Sequence, residues 1–323
     1  MAVEPAQGSS PRNYVEIVFG GDIMLDGLPG QAIANGEDPF AHVADILRGA
    51  DIAVGNLECV VATGGQPVEK PFVFRAHPRV LPVLAQHFRV VSLANNHTGD
   101  FGHTAFLEQL LLLERQSLPY FGGGENCARA RMPAIIERGG LRIALLGYND
   151  FMPRSFEAGP SWPGVAWAVG HQIMADIRAA RSQHQADIVI PFMHWGDEHE
   201  PANERQKSLA RRMLASGADL VVGAHPHVTQ EVERHEGKLA LYSLGNFVFD
   251  GFKDGPARTG WLLRARFDKQ GLIAWDTVVL QIDERGIPHI CRDIPSPSGS
   301  RTSDQIELRR ALVDSPLCAP ATK

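Results

Sequence analysis

The sequence predicts an α/β protein, and three observations lead to this class. Short apolar runs rich in Val, Ile and Leu recur along the chain, each flanked by Gly, Asn or Asp. Continuous apolar runs of this length are typical of strands buried on both faces of a sheet. Amphipathic helical patterns separate these runs, and such alternation indicates a sheet covered by helices. No segment is apolar over the roughly 20 residues that a membrane-spanning helix needs.

The elements can be assigned in chain order. Six runs are predicted as core strands: Val15–Phe19, Asp51–Val54, Arg89–Leu93, Arg142–Leu146, Asp187–Pro191 and Asp219–Val222. Three segments are predicted as helices: Thr104–Gln116, Ile173–Gln183 and Asn203–Ser216, the last with Asn203 and Gln206 spaced as in a capping box. Turn-separated strands follow and predict an antiparallel meander: Glu231–His235, Leu239–Tyr242, Trp261–Phe267 and Leu272–Asp283.

One domain is predicted over residues 14–295. Residues 1–13 are polar and rich in Pro, Gly and Ser, which predicts a flexible N-terminal arm. Residues 296–323 are predicted to be a linker followed by a short helix near Gln305–Leu312.

Composition excludes several classes of protein. The net charge is −6 without a lysine-rich block, so no nucleic-acid partner is expected. The segment MAVEPAQGSSPRN lacks the apolar core of a secretory signal. No Cys-x-x-Cys pair occurs, which predicts isolated thiols in a reducing compartment, at Cys59, Cys127, Cys291 and Cys318. We therefore expect a cytoplasmic protein without a membrane span; the oligomeric state stays open.

Polar side chains follow five of the apolar runs, at the point where each run ends. They are Asp22; Asn56 and Glu58; Asn95, Asn96 and His97; His194; and His225 and His227. In an open α/β sheet the carboxyl ends of the strands line the ligand site, so we expect these side chains to converge. Carboxylate oxygens and imidazole nitrogens suit Mn, Zn or Fe. Several of them in one cleft can hold two divalent ions about 3.5–4 Å apart.

Each of these residues also has a purely structural interpretation. Asp22 could shape a turn, Asn96 could cap a helix, and His194 could be a hydrogen-bonded core histidine. His225 and His227 could belong to a surface loop, although their i, i+2 spacing would place both on one face of an extended chain.

Seven segments in fixed order carry a family resemblance between residues 20 and 250: GGDIML, GNLE, FVFRAHP, SLANNHTGDFG, HWGDE, GAHPH and YSLGNFVFD. Together they resemble the CapA family, named for poly-γ-glutamate capsule synthesis proteins, which is similar to calcineurin-like metallophosphoesterases. The resemblance implies a metallophosphoesterase-like β-sandwich flanked by helices, with metals at the carboxyl ends of strands.

The resemblance also implies roles for individual residues. Asp22 and His227 would bind the first metal, and Asn96, His194 and His225 the second. Glu58, or alternatively Asn56, would take the bridging position. His97 would be the general acid or transition-state donor, and we group it with Asp22 as catalytic.

Four further residues are expected to support the metal ligands or contact the substrate: Asn56, Asn95, Arg75 and Asn246. Arg75 could grip an anionic group with its planar fork or be structurally paired instead. Asn246 could orient a ligand or only shape a turn.

The sequence departs from the phosphoesterase pattern at two positions. Met24 stands where a metal-binding His usually follows the first Asp, and Asn56 stands where the bridging Asp usually lies. A thioether is a poor ligand for a hard divalent ion, so the first metal is expected to be weakly bound or absent.

The leading functional prediction is a metal-dependent hydrolase. It would act on a phosphoester or on a γ-glutamyl, peptide-like anionic substrate, in connection with poly-γ-glutamate metabolism. Two alternatives stay open. One is a metal-dependent peptide epimerase that uses the same site, and the other is a non-catalytic assembly subunit for poly-γ-glutamate or capsule synthesis.

Overall fold

The computed structural model describes residues 13–252, 255–291 and 297–301. Its strands are β1 (Val15–Ile23), β2 (Ile52–Leu57), β3 (Val60–Val61), β4 (Arg75–Ala76), β5 (Val90–Ser92), β6 (Tyr120–Phe121), β7 (Gly123–Gly124), β8 (Ala134–Arg138), β9 (Leu141–Asn149), β10 (Gly164–Val165), β11 (Ile188–His194), β12 (Leu220–Ala224), β13 (Val232–His235), β14 (Lys238–Leu241), β15 (Asn246–Val248), β16 (Thr259–Asp268), β17 (Gly271–Ile282), β18 (Pro288–Ile290) and β19 (Ser298–Ser300). Its helices are α1 (Gly27–Ala34), α2 (Ala44–Gly49), α3 (Val80–His87), α4 (Gly102–Arg115), α5 (Cys127–Ala130), α6 (Gly170–Ser182) and α7 (Glu204–Ala215).

The larger sheet has nine strands within the described residues, in the order β18-β17-β16-β1-β2-β5-β6, with β15 beside β1 and β19 beside β17. Strands β1, β2, β5 and β6 are parallel, while β16 to β18 are antiparallel. Side chains alternate along β1: Ile17 and Phe19 face the layer between the two sheets, and Val18 faces the helices.

The smaller sheet has six strands in the same part of the chain, in the order β13-β14-β12-β11-β9-β8. The predicted four-strand meander is wrong, because its two hairpins belong to different sheets. The β13–β14 hairpin extends the smaller sheet through a parallel contact of β14 with β12, while the β16–β17 hairpin extends the larger sheet beside β1. Turn chemistry indicates which strands form hairpins, but not the sheet that each hairpin joins.

Three apolar layers hold the sheets and helices together. One fills the space between the two sheets, with Phe19, Ile190 and Leu263 among its buried members. A second lies between the larger sheet and helices α1 to α4, and a third lies between the smaller sheet and helices α6 and α7. The predicted β-sandwich flanked by helices is thus confirmed, as are the six core strands, the three predicted helices and the Asn203–Gln206 capping box.

A bulge in β1 determines where the site forms. Phe19 pairs with Val54 of β2, but Asp22 pairs with Asn56. Between these two pairs β1 therefore contains one more residue than β2, which is a β-bulge. Gly21 makes the irregularity possible, since a Cβ there would lie 1.8 Å from the carbonyl oxygen of Gly245. After the bulge, Asp22 points toward the smaller sheet, as Phe19 does.

The structure bears on two expectations, one about the ends of the chain and one about the thiols. Strand β19 pairs with β17 and lies in the segment predicted as a linker, while residues 1–12 and the predicted helix at Gln305–Leu312 lie outside the described residues. Cys59 and Cys127 are free thiols, but Cys291 is disulfide-bonded, so the prediction of isolated thiols is wrong for Cys291.

Among the helices of the described residues, none combines the length and apolar character that crossing a membrane requires.

Candidate metal centre

Neighbouring strands of the larger sheet place three polar side chains at one level. Asp22 of β1 is in register with Asn56 of β2 on one side and Asn246 of β15 on the other. The Asp22 carboxylate is fully buried and accepts hydrogen bonds from Asn56 Nδ2 at 2.8 Å and from the backbone N–H of His225 at 3.1 Å. The first of these contacts lies within the larger sheet, and the second reaches the loop that follows β12 of the smaller sheet.

His194, the last residue of β11, joins the two sheets. Its Nδ1 lies 3.2 Å from Asn56 Nδ2, and its Nε2 lies 2.7 Å from Asn96 Oδ1. Because the Asn56 amide donates, Nδ1 is the acceptor and Nε2 carries the proton toward Asn96. The same Nε2 is 3.5 Å from Glu58 Oε1. The core-histidine interpretation of His194 therefore accounts for its two hydrogen bonds, but the ring also lies beside a further candidate ligand, Glu58.

The His225-Pro226-His227 turn brings two more imidazoles to this place, although not in the way that the sequence suggests. The segment is not extended, since φ is 100° at His225 and 59° at His227. Positive φ is uncommon outside glycine. It raises the conformational energy of the backbone, so it persists only where the surrounding contacts stabilise it. The ring of His225 nonetheless lies 4.6 Å from that of His194, between centroids, and the ring of Phe151 lies 3.8 Å from it on another side.

His227 and Asn246 form a second hydrogen-bonded pair. His227 Nδ1 lies 2.8 Å from Asn246 Oδ1 and 3.6 Å from Asp22 Oδ2. The Asn246 amide in turn donates to the carbonyl oxygen of Ala257 at 2.9 Å. Asn246 thus fixes the orientation of the His227 ring.

Unsatisfied polar atoms provide a direct test of whether this cluster fits a cation. Both carboxylate oxygens of Glu58 and both ring nitrogens of His225 are buried without a hydrogen-bond partner among the described residues. Buried polar groups in folded proteins are almost always paired, and an unpaired buried carboxylate is especially costly. A divalent cation would be a partner for the Glu58 carboxylate and for one ring nitrogen of His225, so the residues present fit such an ion.

Three sets of side chains could each surround one ion, with their ligand atoms within 4.8 Å of one another. They are Glu58, His194 and His225; Asp22, Glu58 and His227; and Glu198, His225 and His227. Glu58 belongs to the first two sets. All members are oxygen or nitrogen donors of the kind that Mn, Zn and Fe accept.

The electrostatics of the cluster agree with this fit. Burial raises the pKa of Asp22, which nearby His227 partly opposes, and burial together with the Asp22 charge raises the pKa of Glu58 well above its ordinary range. Burial lowers the pKa of His194 and of His225 well below the usual histidine value. A low-dielectric cluster disfavours uncompensated charge of either sign, and a bound cation would reverse the balance for the carboxylates.

A cavity of about 740 Å³ opens beside this cluster, with Asn96 and His97 in its wall. His97 Nδ1 lies 2.7 Å from Asp100 Oδ2, and the other Asp100 oxygen accepts from Lys70 Nζ at 2.8 Å. Lys70 also donates to the Asn96 carbonyl oxygen at 2.8 Å, and the Phe74 ring lies 4.3 Å from that of His97. Burial lowers the pKa of His97, and the hydrogen bond to Asp100 opposes that effect.

Of the two remaining expected residues, Asn95 lies in the cluster and Arg75 does not; Met24, which replaces a usual metal ligand, also lies outside it. Asn95 Nδ2 donates to Asn56 Oδ1 at 3.0 Å, which ties the loop after β5 to β2. Arg75 donates to the carbonyl oxygen of Gly64 at 3.1 Å and lies over the Phe101 ring, and it is not among the cavity-lining residues. Met24 is buried in the apolar layer beneath the helices, where its sulfur accepts from a backbone N–H.

Four residues contact or line the site without having been predicted as site residues: Lys70, Asp100, Phe151 and Glu198. Signals for two of them were present: Asp100 follows His97 by three residues in SLANNHTGDFG, and Glu198 ends HWGDE. All four lie outside the helices and strands, so no periodic pattern predicts where their side chains point.

Comparison with known proteins gives a consistent picture. The family model described as "Bacterial capsule synthesis protein PGA_cap" matches residues 16–251. The chain is similar to the PGA biosynthesis protein CapA of Bacillus subtilis (strain 168), with 33% identity over 275 residues, which are 82% of this chain and 71% of that protein. It is similar to the capsule biosynthesis protein CapA of Bacillus anthracis, with 32% identity over 277 residues, which are 82% of this chain and 66% of that protein. The chain thus spans about two thirds of the length of these relatives.

The same architecture occurs in solved structures. A crystal structure described as that of a novel phosphatase, from Mycoplasma pneumoniae, superposes with a TM-score of 0.54 at 12% identity. The match covers 83% of this chain and 94% of that one. At this level of identity the likeness establishes the fold alone.

Proposed function

The chain belongs to the bacterial capsule synthesis protein (PGA_cap) family, and from that premise we propose that it is a metal-dependent hydrolase. We propose as its substrate a phosphoester or a γ-glutamyl, peptide-like anionic compound. The observation that supports this most strongly is the buried, unpartnered carboxylate of Glu58 beside the equally unpartnered imidazole of His225. Such a pair is costly in a merely structural core but well suited to a cation site.

In this proposal two divalent ions share the cluster. Asp22 and His227 would hold one ion, His194, His225 and Asn96 would hold the other, and Glu58 would serve both. When bound, such ions polarise a phosphoryl or carbonyl oxygen of the substrate and supply a nucleophile at neutral pH. Asn56 and Asn246 keep the ligand side chains of Asp22 and His227 in place through their hydrogen bonds.

His97 is the proposed proton donor to the leaving group. Its Nδ1 faces Asp100, so Nε2 is the ring nitrogen left for a substrate in the cavity. Asp100 fixes the ring and its tautomer, and Lys70 offsets the Asp100 charge. A positioned histidine of this kind contributes roughly 10²–10⁴-fold to rate by proton transfer.

The biological setting is also a proposal. The relatives are named for PGA and capsule biosynthesis, which supports a role for this chain in poly-γ-glutamate metabolism. The net charge of −6 supports the absence of a nucleic-acid partner. A cytoplasmic location remains a prediction, and the disulfide at Cys291 argues against a strongly reducing compartment.

The test combines metal content with activity. The purified full chain should contain divalent metal at near-stoichiometric level by elemental analysis, and it should cleave p-nitrophenyl phosphate or a γ-glutamyl peptide. A chelator and the substitution His225→Ala should both abolish the activity. The control is His171→Ala, which changes an exposed histidine of α6 and should have no effect. A folded protein that binds no metal would refute the proposal.

The names of the relatives also favour a second candidate, a non-catalytic assembly subunit for capsule synthesis. The two candidates differ in what they require of the cluster. If Asp22→Ala and His225→Ala variants support polymer production in cells as well as the unchanged chain does, the assembly role is favoured over the enzyme.

A further inference from the structure

Glu198 lies in the loop after β11 and faces the metal cluster from the cavity side. One of its carboxylate oxygens lies within 4.8 Å of a ring nitrogen of His225 and of His227. The side chain is exposed and forms part of the cavity wall. Among the residues that the structure describes, no hydrogen bond or ion pair engages this carboxylate. An acidic side chain without a partner is ordinary on a surface, so its position needs independent support.

His225 gives that support. Its side chain is fully buried, and neither ring nitrogen has a hydrogen-bond partner within the described part of the chain. The other imidazole of the set, His227, uses Nδ1 for Asn246, which leaves Nε2 as its second nitrogen. Two nitrogens and one oxygen thus surround one position.

The loop that carries Glu198 is attached on its C-terminal side. The backbone N–H of His199 donates to the carbonyl oxygen of Pro226 at 2.9 Å, directly between the two histidines. The side chain of Gln230 donates to the carbonyl oxygen of Glu200 at 2.8 Å. His199 has a φ of 63°, a conformation that these contacts stabilise. These two hydrogen bonds attach the loop to the His225-Pro226-His227 turn and hold Glu198 beside the two histidines.

We infer that Glu198 supplies a further carboxylate ligand to the divalent cations of this centre, on the cavity side of His225 and His227. This inference rests on the proposed metal centre and adds a residue to it. Two imidazole nitrogens and one carboxylate oxygen form a donor set suited to Mn, Fe or Zn. Asp22, Glu58 and His194 are buried, whereas Glu198 is exposed and, like Asn96, lines the cavity, so an incoming substrate can reach it.

The experiment is a calorimetric titration of the chelator-treated full chain with Mn²⁺, and separately with Zn²⁺. Glu198→Gln, which keeps the size of the side chain and removes its charge, should weaken at least one binding event by about tenfold or more. Glu198→Asp, which keeps the charge on a shorter side chain, should weaken it less. Glu200→Gln is the matched control, because Glu200 is an exposed acidic residue of the same loop outside all three ligand sets.

The outcomes separate this inference from the proposed function. An unchanged chain that binds neither ion contradicts the metal centre itself. An unchanged chain that binds, together with a Glu198→Gln variant whose affinity lies within about twofold of it, contradicts only the role of Glu198. Equal weakening in Glu200→Gln would also overturn the inference, since it would indicate a general effect of loop charge. Circular dichroism of each variant in chelator establishes that the fold is intact.

Discussion

Asn56 donates a hydrogen bond to Asp22 Oδ1 at 2.8 Å and accepts one from Asn95 at 3.0 Å. One amide thus holds the first candidate ligand and the loop that carries His97. It does so without adding negative charge beside Glu58, whose pKa burial and Asp22 already raise. An aspartate at position 56 would place a third carboxylate in this buried cluster and remove the donor to Asp22.

Asn56→Asp tests this arrangement. We expect the free energy of unfolding in chelator to fall by about 1–3 kcal/mol, because a hydrogen bond is lost and two buried carboxyls come into contact. Mn²⁺ should reduce the difference, because the added carboxylate can face the cation. Denaturant unfolding with chelator and with Mn²⁺ measures both effects. Asn126→Asp serves as control, since Asn126 caps α5, where Asp is an equally good cap. Equal losses in the two variants would argue against this account.

Cation binding should become stronger as the pH rises. Burial raises the pKa of Asp22 and Glu58, so these carboxyls retain protons that a cation must displace. It lowers the pKa of His194 and His225, which are neutral already and release none. A carboxyl with a raised pKa stabilises the metal-free fold below its ordinary pKa, and this contribution is lost as the pH rises through the folded-state pKa.

The consequence can be measured as a thermal shift. The increase in Tm on adding Mn²⁺ should be small near about pH 5 and should grow toward about pH 8, because the charged carboxylates then need the cation most. The same series with His225→Ala should show a smaller increase at every pH. An increase in Tm that does not vary with pH would contradict the involvement of the buried carboxyls.

The His97–Asp100 pair predicts a leaving-group dependence. His97→Ala should lower kcat by roughly 10²–10⁴-fold for a phenyl phosphate, whose leaving group needs a proton, and much less for p-nitrophenyl phosphate. Asp100→Asn should have an effect of the same kind but smaller, because it loosens the ring without removing it. His103→Ala is the control, since His103 lines the same cavity but stacks on Phe156 instead. Equal losses for both substrates would exclude His97 as the proton donor.

Gly21→Ala should disrupt the fold around the site. A Cβ at this position would lie 1.8 Å from the Gly245 carbonyl oxygen, and neither backbone can yield without breaking strand pairing. We expect a loss of about 2–5 kcal/mol in the free energy of unfolding, or no soluble protein. Gly49→Ala at the end of α2, where a Cβ would meet nothing, should be neutral or slightly stabilising. A Gly21→Ala chain of unchanged stability would show that the bulge is adaptable.

The sequence was sufficient to predict the core strands and the residues at their ends, because strands buried on both faces leave long apolar runs. It could not predict the direction of Asp22. Simple alternation from Phe19 would turn Asp22 toward the helices, and only the bulge at Gly20-Gly21 turns it toward the smaller sheet. A single extra residue in a strand changes neither the composition nor the run of apolar residues, and the glycines Gly20 and Gly21 are the one local sign of it.

The loop residues show the same limit. His225 and His227 were expected to share a face because the chain would be extended, yet both have positive φ and meet the cluster through a turn. Three different loops carry the site residues Lys70, Asp100 and Glu198. Their positions depend on tertiary contacts such as the bond from Lys70 to the Asn96 carbonyl oxygen, which no local pattern specifies.

The two halves of the centre stand on separate sheets, with Asp22 and Asn56 on one and His194 on the other. Their spacing is therefore set by the thickness of the apolar layer between the sheets, where the rings of Phe19 and Phe192 lie 6.4 Å apart. Trimming a side chain in that layer would let the sheets settle closer and would shift carboxylate against imidazole. The hydrophobic residues between the sheets therefore help to determine the geometry of a centre that they do not line.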